Sequence, residues 1–377
     1  MSVKAVLLHG DDTQIEQVRG LDPLAADETC FALRAMNARS DVRAIIAALR
    51  ELLPDREALV GYTMEECIAA MRDIGIFLGS IKRHGVEPSA VAPEIIPLLH
   101  RLGERTDMIP RDTVHHYCTW NPTDQRQRMY TGDEQEGYLQ DSVRMVVPHL
   151  RASLELCHLL ADFEPHDLKF AVLVDALNNE LGSMVEAIDL VVEKVSPVFF
   201  ARILRPYFEE IDLAGRSYLG PAAAQVPLWL IDEAVWASDR SEPDYQEFLR
   251  ESVPYSLPRW RELHGYWVHA PSMVTRVIQA YRNDLNETGR SAPSIRASAV
   301  ALARMLRTVI VFRGRHLGIA RQAYQADLRL YPVGSGGASV DLLRQIIDLT
   351  RHNAQLTKRT VRLPAAPSAP ISCSAGG

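Results

Sequence analysis

The sequence predicts an all-α protein of two helical domains, and three observations carry that prediction. Apolar residues recur at three-and-four spacing along most of the chain, the pattern of one buried helix face. Alternation at period two never persists, and the Asn-Gly and Asp-Gly dipeptides that close tight hairpins are absent. No motif repeats at 20–50 residue spacing, which argues against a solenoid. At 377 residues, against about 100–200 for a typical compact domain, the chain has room for two units.

The elements follow in order. Ser40-Asp41 can cap a helix through Ile45, Ile46, Leu49, Leu52 and Leu53, which Pro54 stops. Met64, Ile68, Met71, Ile74, Gly75 and Leu78 mark the buried face of the next, and Met64, Met71, Phe77 and Leu78 read as core. Residues 121–137, with Pro122, Thr123 and Gly132, read as a connection between domains. A helix then runs from about Leu139 through Val143, Val147, Leu150, Leu154 and Cys157 to Ala161, ahead of Glu164-Pro165. Another covers 168–195, before Ser196-Pro197. Residues 212–221 read as an irregular patch between helical runs, where Gly215, Ser217, Gly220 and Pro221 let backbone lie close to a neighbour. Residues 295–348 form a helix, a break at Pro332-Val333-Gly334-Ser335-Gly336-Gly337, and a resumed helix at 341–356. The Pro, Ala, Ser and Gly of 363–377 read as a flexible tail.

Composition excludes several functions. Hydrophobic residues make up 47% and charged residues 24%, too apolar for a disordered chain. The 48 acids and 41 bases are interspersed and give a net charge of −7, so no basic field attracts a nucleic acid. The apolar run at 5–8 is too short for a signal peptide, and no stretch approaches the roughly 18 apolar residues of a membrane span. A cytoplasmic protein with no membrane partner is expected. Cys30, Cys67, Cys118, Cys157 and Cys373 form no Cys-x-x-Cys pair and read as reduced, structural residues.

Common catalytic motifs are missing: no P-loop, Gly-x-Gly-x-x-Gly after a strand, His-Glu-x-x-His or Gly-x-Ser-x-Gly occurs. His115-His116-Tyr117-Cys118 does not suit a metal, because adjacent side chains diverge; one histidine is expected in and one out. The informative region is the helix with core positions Leu302, Leu306, Val309, His316 and Ala320, which puts His316 on the buried stripe one turn after Arg313. An imidazole there is either a satisfied core group or an axial ligand. The glycines at 334, 336 and 337 permit close approach to a flat ligand, and Ser335 adds a hydrogen-bond donor. Together these are what a haem pocket requires, although an ordinary helical hairpin shares them.

Phe312-Arg313-Gly314-Arg315-His316-Leu317, followed by Gly334-Ser335-Gly336-Gly337, resembles the proximal-histidine helix and Gly-Thr/Ser-Gly-Gly loop of the indoleamine 2,3-dioxygenase haem superfamily. Ala70-Met71-Arg72-Asp73-Ile74-Gly75, Phe77-Leu78-Gly79-Ser80, Lys82-Arg83-His84-Gly85, Trp120-Asn121-Pro122-Thr123, Tyr130-Thr131-Gly132 and Ser217-Tyr218-Leu219-Gly220-Pro221 narrow the resemblance to the monodechloroaminopyrrolnitrin synthase (PrnB-like) family. It covers nearly the whole chain except the ends. The resemblance implies a smaller N-terminal helical domain at 1–132 covering the pocket and a larger haem-binding helical domain at 133–362.

It further implies haem b with iron ligated by His316, Arg313 on a propionate, and Gly334, Gly336 and Gly337 at the cofactor. Tyr324 and Ser335 become the catalytic pocket groups that orient a tryptophan-type substrate, with O2 or peroxide as co-substrate. Ser217, Tyr218, Leu219 and Gly220 match the distal substrate loop, though Tyr218 is equally core packing. Arg205 is a candidate for the substrate carboxylate, against a solvated helix-end arginine. Arg72-Asp73 reads as a buried or interface ion pair supporting the pocket roof, and Trp120 as either core or porphyrin contact. Related tyrosine hydroxylases carry a thioether Cys four residues after the histidine; here Ala320 stands there, so non-covalent haem is implied. The implied reaction is ring rearrangement and decarboxylation of L-tryptophan or 7-chloro-L-tryptophan to an aminophenylpyrrole. The alternatives are a haem-dependent tryptophan mono- or dioxygenase, a haem carrier or sensor without turnover, and a helical scaffold with no cofactor.

Overall fold

A computed structural model describes residues 12–325, 330–331 and 333–359; the N-terminal segment, Cys373 and the 363–377 tail fall outside the described residues. The longer helices, in chain order, are α1 (Asp12–Gly20), α2 (Asp27–Ala38), α3 (Val42–Leu52), α4 (Met64–Arg83), α5 (Ile95–Thr106), α6 (Glu134–Ala161), α7 (Leu168–Lys194), α8 (Pro243–Ser252), α9 (Pro258–Trp267), α10 (Met273–Thr288), α11 (Pro293–Ala323) and α12 (Val340–Arg359). Among the described residues the only strands are 211–213 and 216–218, an antiparallel pair that registers Asp212 on Ser217. The all-α expectation holds.

Helix starts follow local chemistry. Asp41 caps α3 by accepting from the Ala44 amide at 3.1 Å. Thr63 and Glu66 cap α4 reciprocally, which satisfies two otherwise orphaned donors. Asp133 and Asp167 cap α6 and α7. The α6 start therefore lies at Glu134, several residues before the periodic apolar pattern begins.

α4 is buried from Cys67 to Ile81 and forms the centre of the N-terminal layer, with α3, α5, α1 and α2 packed around it. Its polar pair is fully satisfied: Arg72 bonds Asp73 at 2.8 Å, and Arg128 reaches the same carboxylate at 2.8 Å. Burial opposes the Asp73 charge, but the two guanidiniums outweigh it and hold the carboxyl below its usual range. Two glycines let neighbours approach this helix. A Cβ at Gly75 would stand 2.4 Å from the Asp112 side chain, and one at Gly79 would meet the Tyr130 hydroxyl at 2.4 Å.

Residues 121–133 are irregular but are not an exposed linker, since Asn121, Arg128 and Tyr130 are buried. The reason is Glu136, in the first turn of α6, which accepts from the Tyr117 hydroxyl and Tyr130 amide at 2.7 Å and from the Thr131 amide at 2.8 Å. The segment is thus clamped to the N-terminus of α6. The patch at 212–221 is likewise more regular than expected, because it contains the hairpin. Its turn places Ala214 at φ 56° and Gly215 at φ 85°, so Ala-Gly takes the left-handed positions that Asn-Gly usually fills.

The C-terminal layer is a bundle in which α7 packs between α6 and α11, and α11 packs on α12. The described part of that bundle encloses the candidate site.

Candidate active site

A cavity of about 310 Å³ lies within the α6, α7, α11 and α12 bundle, within the roughly 300–1,000 Å³ of typical ligand sites. Its walls are mostly apolar: Val143 and Val146 from α6, Met184 and Ile188 from α7, Phe312 and Ile319 from α11. Further wall comes from the 195–200 stretch, the 223–229 segment after the hairpin, Tyr245 and Phe248 of α8, and the glycine loop before α12. Long helices with three-and-four apolar spacing thus form both the bundle core and the cavity wall.

His316, Arg313, Ala320, Tyr324, Gly334, Ser335 and Gly336 all border this one cavity. The α11 spacing explains the first three, since 313, 316 and 320 fall on one helix face. His316 packs on Phe312 with ring centroids 5.9 Å apart. Burial, helped by the nearby Arg313 charge, pushes its imidazole down to about 4, so at neutral pH the ring is a free base with a lone pair to offer.

Arg313 sits in the wall with its charge already matched. Its guanidinium pairs with Asp232 and donates to Thr350 Oγ1 at 2.7 Å. Burial disfavours that charge, and Asp232 more than restores it. Asp232 also accepts from Tyr245 Oη at 2.5 Å and Trp236 Nε1 at 3.0 Å. The propionate contact expected of Arg313 therefore has a built-in competitor, 81 residues away in sequence, that local patterning does not reveal.

The loop is shaped by its glycines. Gly337 adopts φ +80°, a left-handed conformation, and a Cβ on Gly336 would collide with Ala224 Cβ at 2.4 Å. Tyr324 donates to the Val333 carbonyl at 3.2 Å. Burial raises the Tyr324 pKa and Arg205 partly offsets it, so the phenol keeps its proton.

Arg205 opens a short 3-10 turn, Arg205–Phe208, and is only 7% exposed. Its Nη2 reaches the Gly334 carbonyl at 3.5 Å, and its guanidinium lies 4.2 Å from the Tyr331 ring centroid. Nε and Nη1 have no partner among the described residues. It is therefore not a solvated helix-end arginine, and it stands behind the cavity wall, reaching it through the Gly334 carbonyl and not as a lining residue itself.

Ser217, Tyr218, Leu219 and Gly220 do not line the cavity. Ser217 is exposed and bonds Glu210 at 2.6 Å; Tyr218 is buried, with its carbonyl accepting from Arg111 at 2.8 Å. Gly220 is packed against the Phe208 backbone, so the buried part of this stretch faces the core beside Arg111 and Phe208 and not the cavity. The adjoining 223–226 segment reaches the cavity instead.

His115 and His116 are both buried, contrary to the alternation expected of them. A π-helical turn at His115–Thr119 brings both inward, where Thr119 and Thr113 face their Nδ1 atoms at 3.2 and 3.1 Å. Trp120 is core packing between these two rings and is not part of the cavity wall, nor is the Arg72–Asp73 pair. No cluster of three or more His, Cys, Asp or Glu among the described residues is arranged to hold a metal ion, and no described helix is long and apolar enough to cross a membrane. Sequence reasoning missed Tyr331 and Glu209, whose hydroxyl-to-carboxylate bond flanks Arg205.

Residues 16–366 match the family model described as monodechloroaminopyrrolnitrin synthase PrnB, a span that contains every cavity residue named here.

Proposed function

This chain belongs to the monodechloroaminopyrrolnitrin synthase PrnB family, an enzyme family acting on tryptophan derivatives, and from that premise we propose its reaction. L-tryptophan or 7-chloro-L-tryptophan is rearranged and decarboxylated to an aminophenylpyrrole, with haem b held non-covalently in the cavity. The observation that carries this reading is the meeting of His316, Tyr324 and Ser335 at one apolar cavity.

The residues present fit haem. The cavity is apolar and of cofactor-site size, and burial keeps the His316 imidazole neutral. His316 is the residue to hold the iron, with Gly334, Gly336 and Gly337 letting the loop run close. When bound, haem b supplies the redox chemistry, with O2 or peroxide as co-substrate.

The chain itself does the positioning. Arg205, with donors to spare, binds the substrate carboxylate. Ser335 bonds the amino group. Tyr324 keeps its proton on Oη and, by donating to Val333, holds the loop that presents Ser335. Arg313 fixes α11 to α12 through Thr350, and so sets the direction of the helix one turn before His316. The distal stretch Ser217, Tyr218, Leu219 and Gly220 acts through the 223–226 segment that it anchors. The apolar side chains of α6 and α7 exclude water around the indole.

Product mass tests the reading. Haem-loaded protein given L-tryptophan and 7-chloro-L-tryptophan with O2 or peroxide should release a decarboxylated aminophenylpyrrole. N-formylkynurenine or a singly oxygenated amino acid would make it a dioxygenase or monooxygenase, and a tryptophan-induced absorption change without product would contradict turnover.

A further inference from the structure

Arg205 is a buried cation whose Nε and Nη1 nitrogens are unpartnered among the described residues, a costly arrangement that a bound anion would relieve. An acid that could neutralise it lies four residues on. Glu209 directly follows the Arg205–Phe208 turn in extended conformation, near enough along the chain to compete for Arg205 if its carboxylate were not held elsewhere. Glu209 instead accepts from the Tyr331 hydroxyl, and the Tyr331 ring covers one face of the guanidinium at 4.2 Å. The ring attracts the cation without using its N–H donors.

The other titratable and charged groups that bear on this corner are the Tyr324 phenol, which interacts with Arg205, and Arg83. Arg83 acts on the same Tyr331 phenol as Arg205 and lies 5.8 Å from the Tyr207 ring. The third guanidinium donor, Nη2, is directed to the Gly334 carbonyl, next to Ser335.

We propose that Tyr331 and Glu209 are positioning residues that keep Arg205 open for a carboxylate. Glu209 tethers the phenol, the ring holds the guanidinium plane, and the tether stops Glu209 from pairing with Arg205. This rests on the reading of Arg205 as the carboxylate site and adds the device that keeps that site free. Carboxylate-bearing ligands are thereby selected over the same indole without a carboxylate.

The test uses haem-loaded, full-length protein titrated with L-tryptophan and with tryptamine. Tyr331→Leu should weaken L-tryptophan binding tenfold or more, raising KM with kcat within twofold, while tryptamine binding changes less than twofold. Adding Glu209→Gln to Tyr331→Leu should restore most of the loss, because Arg205 then has no carboxylate to collapse onto. Equal weakening of both ligands, or a double variant no better than Tyr331→Leu, overturns the proposal. Tyr331→Phe keeps the ring and removes only the tether, so if the leucine variant does not fold, a loss of threefold or more that Glu209→Gln rescues is the expected sign; no loss overturns it. Arg205→Met separates the two levels. If it leaves the discrimination against tryptamine intact, the carboxylate reading itself fails; if it abolishes discrimination that Tyr331→Leu preserves, only the tether fails. Loss of haem from Tyr331→Leu with discrimination intact would assign the site to a haem propionate and overturn the substrate role.

Discussion

Gly336 lies against Ala224 with no room for a side chain, since a Cβ on the glycine would stand 2.4 Å from the alanine Cβ. The contact ties the loop that carries Ser335 to the 223–226 segment, so two parts of the cavity wall are fixed to each other. Gly336→Ala must push them apart, and overpacking of this kind costs about 1–3 kcal/mol. L-tryptophan affinity should fall about tenfold, equivalent to about 1.4 kcal/mol, and Ala224→Gly in the same chain should recover most of it. An unchanged affinity in the single variant would show that the loop does not position substrate.

Asp232 is the counter-charge of Arg313 and the acceptor for Tyr245 and Trp236. Asp232→Asn leaves a buried guanidinium without compensation, for which the expected loss is about 3–5 kcal/mol. Urea unfolding should show a clearly lowered midpoint and reduced haem retention. A change below about 1 kcal/mol would mean that Thr350 alone suffices to hold Arg313.

The paired histidines set an acid limit. Burial lowers the His115 pKa from 6.5 to about 4, and lowers His116 in the same direction with help from the His115 and Arg72 charges. The unfolded chain therefore binds more protons than the folded one between these values, so stability falls as pH drops from about 6.5 towards 4. His115 alone accounts for about 2 kcal/mol between pH 7 and pH 5. Asp112 and Glu136, both raised by burial, act in the opposite sense. Urea unfolding at the two pH values, compared with His115→Gln, isolates the histidine part: the variant should lose less stability on acidification, and an equal loss would refute the assignment.

Ala320 borders the cavity four residues after His316, and no cysteine is among the described residues that line it. Cys30, Cys67, Cys118 and Cys157 are buried elsewhere. Haem should therefore separate from the chain on denaturation, leaving a polypeptide of unshifted mass in denaturing mass spectrometry. A mass increase equal to haem would contradict non-covalent binding.

Much of this architecture is legible in the sequence because it rests on interactions a few residues apart. The Asp41 cap, the Leu302, Leu306 and Val309 stripe, and the shared helix face of Arg313, His316 and Ala320 all follow from i to i+4 geometry. The glycine loop is readable for a similar reason, since Gly336 and Gly337 meet steric conditions that only glycine tolerates. The Asp232–Arg313 pair and the Tyr331–Glu209 tether are long-range, and periodicity carries no information about them. His115 and His116 defeat the in-and-out expectation because the π-helical turn changes the period at that point. Ser217, Tyr218, Leu219 and Gly220 match the family as a local segment, which carries no information on what they pack against, and the Ala214-Gly215 hairpin they belong to lacks the usual Asn-Gly signal.

Ligation of haem iron by His316 is tested by the Soret spectrum and haem stoichiometry of His316→Ala beside the parent protein. The parent should bind one haem per chain, and the variant, folded by circular dichroism, should lose the ligated Soret band and most of its haem. A variant with unchanged Soret position and haem content would contradict it.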